Sequence, residues 1–179
     1  MIAATHRAIR PVLIVTLGAV AALAHAATPA AKPAAAPAAA AAAASAPPAE
    51  GPCTVRLGGS DLMQFDKKEL RAPSTCKIFK VVMIHTGKLP VAAMGHNFVV
   101  TRTADLQAVA NAGLAAGMKN NHLPLNDKRV LAASPHLVGG GQWVVIDIPM
   151  ATLQKGGDYS YFCTFPGHSG VMKGKFVVL

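Results

Sequence analysis

Short apolar runs broken by glycine, proline and charge recur along residues 53–179. Thr54 to Leu57 alternates weakly before Gly58-Gly59, and Leu62 to Phe65 forms a second run ahead of the charged turn Asp66-Lys67-Lys68-Glu69. Lys77 to His85, Phe98 to Thr101, Val130 to Ala133, Trp143 to Ile148, Tyr159 to Thr164 and Lys175 to Leu179 follow. Runs of this length, rich in branched and aromatic side chains that pack well on a pleated surface, predict strands. One stretch has a different period. From Thr103 to Gly117, the residues Leu106, Val109, Ala110, Gly113 and Leu114 fall on one helical face, with Thr103 placed to cap it. Seven to eight short strands and one inserted helix predict an all-β Greek-key sandwich.

The N-terminal residues follow other patterns. Residues 1–26 read as a secretory signal: His6, Arg7 and Arg10 charge its start, Val12 to Leu23 is apolar, and Ala24-His25-Ala26 forms a small-x-small cleavage site. An apolar stretch of about a dozen residues falls short of the roughly 20 a membrane helix needs, so export without stable membrane insertion is expected after cleavage. Residues 27–52 hold 15 Ala and 6 Pro, with Lys32 and Glu50 as the charged residues. Without branched or aromatic side chains to bury, such a segment cannot offset its ordering entropy and reads as a disordered linker. Residues 53–179 fit one ordinary domain.

The chain carries 17 basic and 8 acidic residues, a formal net charge of +9. The basic residues are scattered, no predicted helix carries a basic stripe, and aromatic residues make up 5% of the chain. Stacking platforms for bases are therefore missing, which argues against a nucleic-acid partner. Three cysteines leave one thiol over in an exported protein. Pairing Cys53 with Cys76 would close a loop worth about 3 kcal/mol and leave Cys163 free, and a free thiol in an oxidising compartment is a liability unless a metal holds it.

Cys163, His168 and Met172 lie within Tyr-Phe-Cys-Thr-Phe-Pro-Gly-His-Ser-Gly-Val-Met-Lys-Gly, so one tight loop offers a thiolate, an imidazole and a thioether. That donor set suits copper in both oxidation states and needs one further histidine, for which His96 in Met-Gly-His-Asn is the candidate. Zinc is the alternative, but thioether is a poor zinc ligand. If His96, Cys163 and His168 form a plane, Met172 lies on one side and the Gly95 carbonyl on the other, with no open position for a reactant. A closed site can change charge and cannot bind substrate, so an electron carrier with one Cu(I)/Cu(II) ion is expected, not an enzyme.

At these residues the chain resembles the azurins, small blue-copper proteins of the cupredoxin family. The resemblance rests on Cys-Thr-Phe-Pro-Gly-His-Ser at 163–169, Met172-Lys173-Gly174, Met94-Gly95-His96-Asn97, Leu89-Pro90 and the pair Cys53 and Cys76, and spans essentially all of residues 53–179. It implies that His96, Cys163 and His168 are the strong ligands, that Met172 and the Gly95 carbonyl are the weak ones, and that Cys53 and Cys76 form a disulfide. It further implies that the Asn97 side chain ties the two ligand loops, and that the amides of Asn97 and Phe165 donate to the sulfur. His85 takes the position of a partly buried histidine that couples weakly to the metal, with a plain strand residue as the alternative. Phe98 stands where some azurins bury a tryptophan, and Trp143 lies on a later strand.

The same resemblance implies a periplasmic monomer that meets redox proteins transiently through an apolar patch around His168, formed by Met63, Leu89, Met94, Leu114, Phe165, Pro166 and Val171. Two other functions compete with one-electron transfer. A copper carrier or storage protein would release its metal readily, and a redox enzyme would need a second, open site. His122 and His136 have no evident partners at ligand spacing for such a site.

Overall fold

The computed structural model describes residues 46–179. The predicted signal, residues 1–26, and most of the Ala/Pro-rich segment lie outside the described residues. Among the described residues, nine strands form two sheets. The first sheet has the order β2-β1-β4-β7, built from β1 (Thr54–Ser60), β2 (Gln64–Phe65), β4 (Ile78–His85) and β7 (Trp143–Pro149). The second has the order β3-β9-β8-β5-β6, from β3 (Glu69–Ala72), β5 (Val99–Arg102), β6 (Ala132–Ala133), β8 (Tyr159–Phe162) and β9 (Lys173–Val178). The pairs β1/β4 and β3/β9 are parallel and the others antiparallel, with Greek-key crossings between the sheets.

Register explains the core. Phe79, Val81 and Met83 of β4 lie opposite Ile148, Ile146 and Val144 of β7, so both strands turn the same set of apolar side chains inward. Across the gap, Leu70 and Ala72 of β3 sit beside Phe176 and Val178 of β9. Directly opposed apolar pairs of this kind are the unit of sheet stabilisation. Tyr161 adds a stack on Phe98 at 5.3 Å, and its hydroxyl donates to the Lys67 carbonyl. Gly174 pairs with Tyr161 across β8 and β9, and a side chain at Gly174 would strike that hydroxyl.

The predicted helix is α2 (Leu106–Ala116), following the short α1 (Val91–Met94). Val109 and Ala110 pack with Leu123 onto Val99 and Phe162, covering the outer face of the second sheet. Two predictions need correction. Glu69–Ala72, whose first residue reads as the end of a charged turn, pairs with β9 as a strand, because Leu70 and Ala72 are its inward residues. Thr103 does not cap the helix; it opens a 3-10 turn, and its hydroxyl bonds Asp158 and Ser160 instead. Leu114, at the edge of the packed helical face, is 56% exposed, as its place in the expected apolar patch requires.

The two ends of the sandwich differ. At one end, Arg56 of β1 reaches back to the segment before the strand, donating from Nε to the Pro48 carbonyl and from its terminal nitrogen to the Pro47 carbonyl, both at 2.9 Å, while its amide donates to Glu50. Cys53 and Cys76 are joined in a disulfide beside this clasp. The other end is reached by Ser60, His85, His96, Cys163 and Met172, which sit at or just beyond strand ends. β1 joins the two poles over about 20 Å.

Candidate metal centre

Two loops and one strand end build the site. His96 is fixed first by its backbone, which exchanges hydrogen bonds with Val138 at 2.9 and 2.8 Å. Its ring Nε2 lies 3.0 Å from the Ser60 carbonyl, an acceptor, so Nε2 carries the proton and donates. Its Nδ1 is buried without a hydrogen-bond partner. A buried nitrogen with a free lone pair calls for an explanation. The neighbours supply one: potential ligand atoms of His96, Cys163 and His168 all lie within 4.8 Å of one another. His168 Nδ1 is 3.6 Å from the Cys163 sulfur.

Met172 reaches the same place from the end of the loop and is fully buried. Gly59 marks how tightly it fits, because a Cβ there would come 2.9 Å from both the Met172 methyl and the His96 ring. The loop from Cys163 to Met172 is closed on itself: the Cys163 amide donates to the Met172 carbonyl, and the Met172 amide donates to the His168 carbonyl. Gly95 is also crowded, with Phe165 ring carbons 3.1 Å from where its Cβ would lie.

Burial decides the protonation states before a metal arrives. It pushes the Cys163 thiol up to about 12, against the opposing pull of amides from Asn97 and Phe165. It lowers His96 to about 4, and it lowers His168 to about 4 with help from the neighbouring His85. Metal-free, the three groups are uncharged at neutral pH, which keeps them close without repulsion. Thiolate, thioether and two imidazoles are the soft and borderline donors that copper prefers, so the residues present fit that ion.

Around them runs a second set of contacts. The Asn97 amide donates to the Cys163 sulfur at 3.5 Å. Its side chain takes the Thr164 amide at 2.7 Å and donates to the Thr164 hydroxyl and the Asn121 carbonyl, so it ties the His96 loop to the Cys163 loop. His85 stacks on His96 with ring centroids 4.3 Å apart. The Gly87 amide donates to its Nδ1, so its Nε2 bears the proton and donates to the Met94 carbonyl at 2.8 Å. Sequence reasoning missed Ser60, Gly59, Thr164, Asn121 and His122. A backbone acceptor such as the Ser60 carbonyl leaves no mark in a sequence, while Asn120-Asn121-His122 after a helix-ending glycine was a usable turn signal.

The expected patch divides in two. Leu89, Leu114, Pro166 and Val171 are exposed and Met63 and Met94 half-buried, whereas Phe165 lies beneath them and is 8% exposed. Leu62 joins the exposed set at 75%. His168 keeps 2% of its surface and contacts Phe165 at 4.8 Å between ring centroids. His122 is buried and rests on Phe165, and His136 is exposed at the edge of the Val138 segment.

A two-sheet sandwich that gathers one thiol, two imidazoles and a thioether at a single buried pole defines a cupredoxin with one copper. Residues 52–179 match the model of copper binding proteins of the plastocyanin/azurin family, and the chain belongs to that family. Over 122 residues it is 49% identical to an azurin of Bordetella pertussis, covering 68% of this chain and 81% of that one. Azurin-1 of Alcaligenes xylosoxydans xylosoxydans is 46% identical and azurin of Pseudomonas aeruginosa 40%, each over 68% of this chain and over 94% and 82% of theirs. The solved structure of an azurin, Az-iso2, from the methylotroph Methylomonas sp. strain J superposes with a TM-score of 0.68 at 35% identity, covering 71% of this chain and 98% of that one. The protein is a blue-copper electron-transfer protein.

Proposed function

We propose that His96, Cys163 and His168 hold one copper ion, with Met172 and the Gly95 carbonyl as the weaker flanking donors. Bound copper supplies a Cu(II)/Cu(I) couple for one-electron exchange. The observation that carries the assignment is the buried His96 Nδ1, which has no partner while the opposite ring nitrogen is engaged by Ser60. The protein's part is to hold and to exclude. Asn97 fixes the spacing of the loops, the amides of Asn97 and Phe165 point at the sulfur, and the ligand side chains are at most 2% exposed. Such outer contacts set ligand orientation and tune the metal. We therefore read the chain as a carrier and not an enzyme.

Docking would use the apolar rim above His168: Met63, Leu89, Met94, Leu114, Pro166 and Val171, with Phe165 as its floor. An exposed apolar patch on a monomer marks a docking surface, and redox encounters are small and short-lived. A periplasmic location is supported by the leader-like residues 1–26 and by a disulfide, which persists in an oxidising compartment. Among the described residues, no helix is long and apolar enough to cross a membrane. The test is an optical spectrum with metal analysis of the purified protein. The proposal requires one copper per chain and an intense blue band that bleaches on reduction. Rapid metal loss to a mild chelator with the fold intact would favour a copper carrier, and failure to develop colour with cupric salt would end the assignment.

A further inference from the structure

The segment after α2 folds in an unusual way. Asn121 and His122 are consecutive residues with φ of 54° and 51°, a left-handed pair that side-chain-bearing residues adopt reluctantly. The His122 amide is held by the Gly117 carbonyl and the Leu123 amide by the Asn120 carbonyl, both at 2.9 Å. The corner turns two carbonyls toward the metal pole. Asn121 accepts from the Asn97 side chain and His122 from the Thr164 hydroxyl, while the Asn121 side chain accepts from the Leu137 amide. Gly113 of α2 lets this corner and Thr164 approach, since a Cβ there would strike both.

The His122 ring is 7% exposed and meets Phe165 edge to face, with centroids 5.4 Å apart and planes at 70°. Gly95 crowds Phe165 as well, and Phe165 in turn contacts the His168 ring. Phe165 also directs two backbone groups: its amide points to the Cys163 sulfur and its carbonyl accepts from the His168 amide at 3.0 Å. A shift of Phe165 would therefore move a donor to the sulfur and the anchor of a histidine together.

We infer that His122 is a positioning residue for the metal pole, its ring bracing Phe165 so that the Phe165 amide stays aimed at the Cys163 sulfur. The inference rests on the copper reading above. It assigns the work to the shape of the ring, because His122 Nδ1 is buried without a partner and contributes no hydrogen bond. A phenylalanine would then serve as well, since replacing an unpaired buried polar group by an apolar one of similar shape is neutral or stabilising.

The test compares His122→Phe with His122→Ala, copper-loaded and metal-free. His122→Phe should keep the native spectrum, reduction potential and copper-release rate, with a metal-free melting temperature equal or higher. His122→Ala should lower the potential, because a sulfur that loses a donor favours Cu(II). It should alter the sulfur-to-copper bands and release copper to a chelator roughly tenfold faster, the low end for outer partners of a metal site. In metal-free His122→Ala, hydrogen exchange at the Phe165 amide should accelerate, which tests the bracing without copper. If His122→Ala melts earlier but keeps the native spectrum, potential, release rate and exchange, the ring is packing only and the inference falls. It falls equally if His122→Phe shifts these readouts as far as His122→Ala. Failure of the copper reading would look different: the unaltered protein itself would stay colourless.

Discussion

The two poles of this sandwich are closed by different physics. At one, a covalent bond between Cys53 and Cys76 and the Arg56 clasp finish an apolar core. At the other, polar groups are buried together: His96, Asn97, Thr164 and His168 are all at most 2% exposed. The first pole constrains the unfolded chain and asks little of geometry. The second depends on the placement of individual atoms, so it should be fragile in function where the first is fragile in stability.

The sharpest break comes from Cys163→Ser. Removal of the thiolate should abolish the blue band completely while the metal-free protein still melts cooperatively, as optical and calorimetric scans of one sample would show. The converse is Cys53→Ala with Cys76→Ala, which should cost about 3 kcal/mol in denaturant unfolding yet leave the spectrum unchanged. A loss of colour in that variant would show that the poles are coupled. Asn97→Ala should do some of both. It strips the buried Thr164 amide of its acceptor, costing roughly 1–3 kcal/mol, and should speed copper release measured by chelator competition.

A change of pH acts more gently, and at the metal pole it acts through three groups. With His96 and His168 lowered from 6.5 to about 4, the unfolded chain binds more protons in that interval. Metal-free stability from these groups is therefore present above pH 6.5 and lost as pH falls toward 4. With Cys163 raised from 9.0 to about 12, stability is lost again as pH climbs from 9.0 toward 12. Melting temperatures of the metal-free protein should trace a plateau between the two falls, and copper should flatten both flanks. The smallest effect belongs to Arg56→Ala, about 1 kcal/mol, with limited proteolysis then cutting closer to Cys53.

The metal pole was the more legible of the two. Cys163, His168 and Met172 are near neighbours along the chain and chemically unusual together, so their spacing alone announces a shared loop, and His96 followed from its flanking Gly95 and Asn97. Strand number was nearly right because alternation survives in the long strands. Glu69–Ala72 escaped because four residues give two inward positions, and its charged start imitates a turn. His122 looked partnerless because its contacts are the Thr164 hydroxyl on its own backbone carbonyl and the Phe165 ring, reached through a left-handed corner, neither of which has a spacing rule. Thr103 obeyed a rule in sequence and a nearer partner in space, Asp158.

The Arg56 clasp has a mechanical corollary. Any tension arriving along the chain from the N-terminal side meets the guanidinium at Pro47 and Pro48 and then the Cys53–Cys76 bond, about 20 Å from the imidazole of His96. The domain can thus be hauled, fused or lengthened from that side with the load carried by its far end, and the ligand loops would not register the strain.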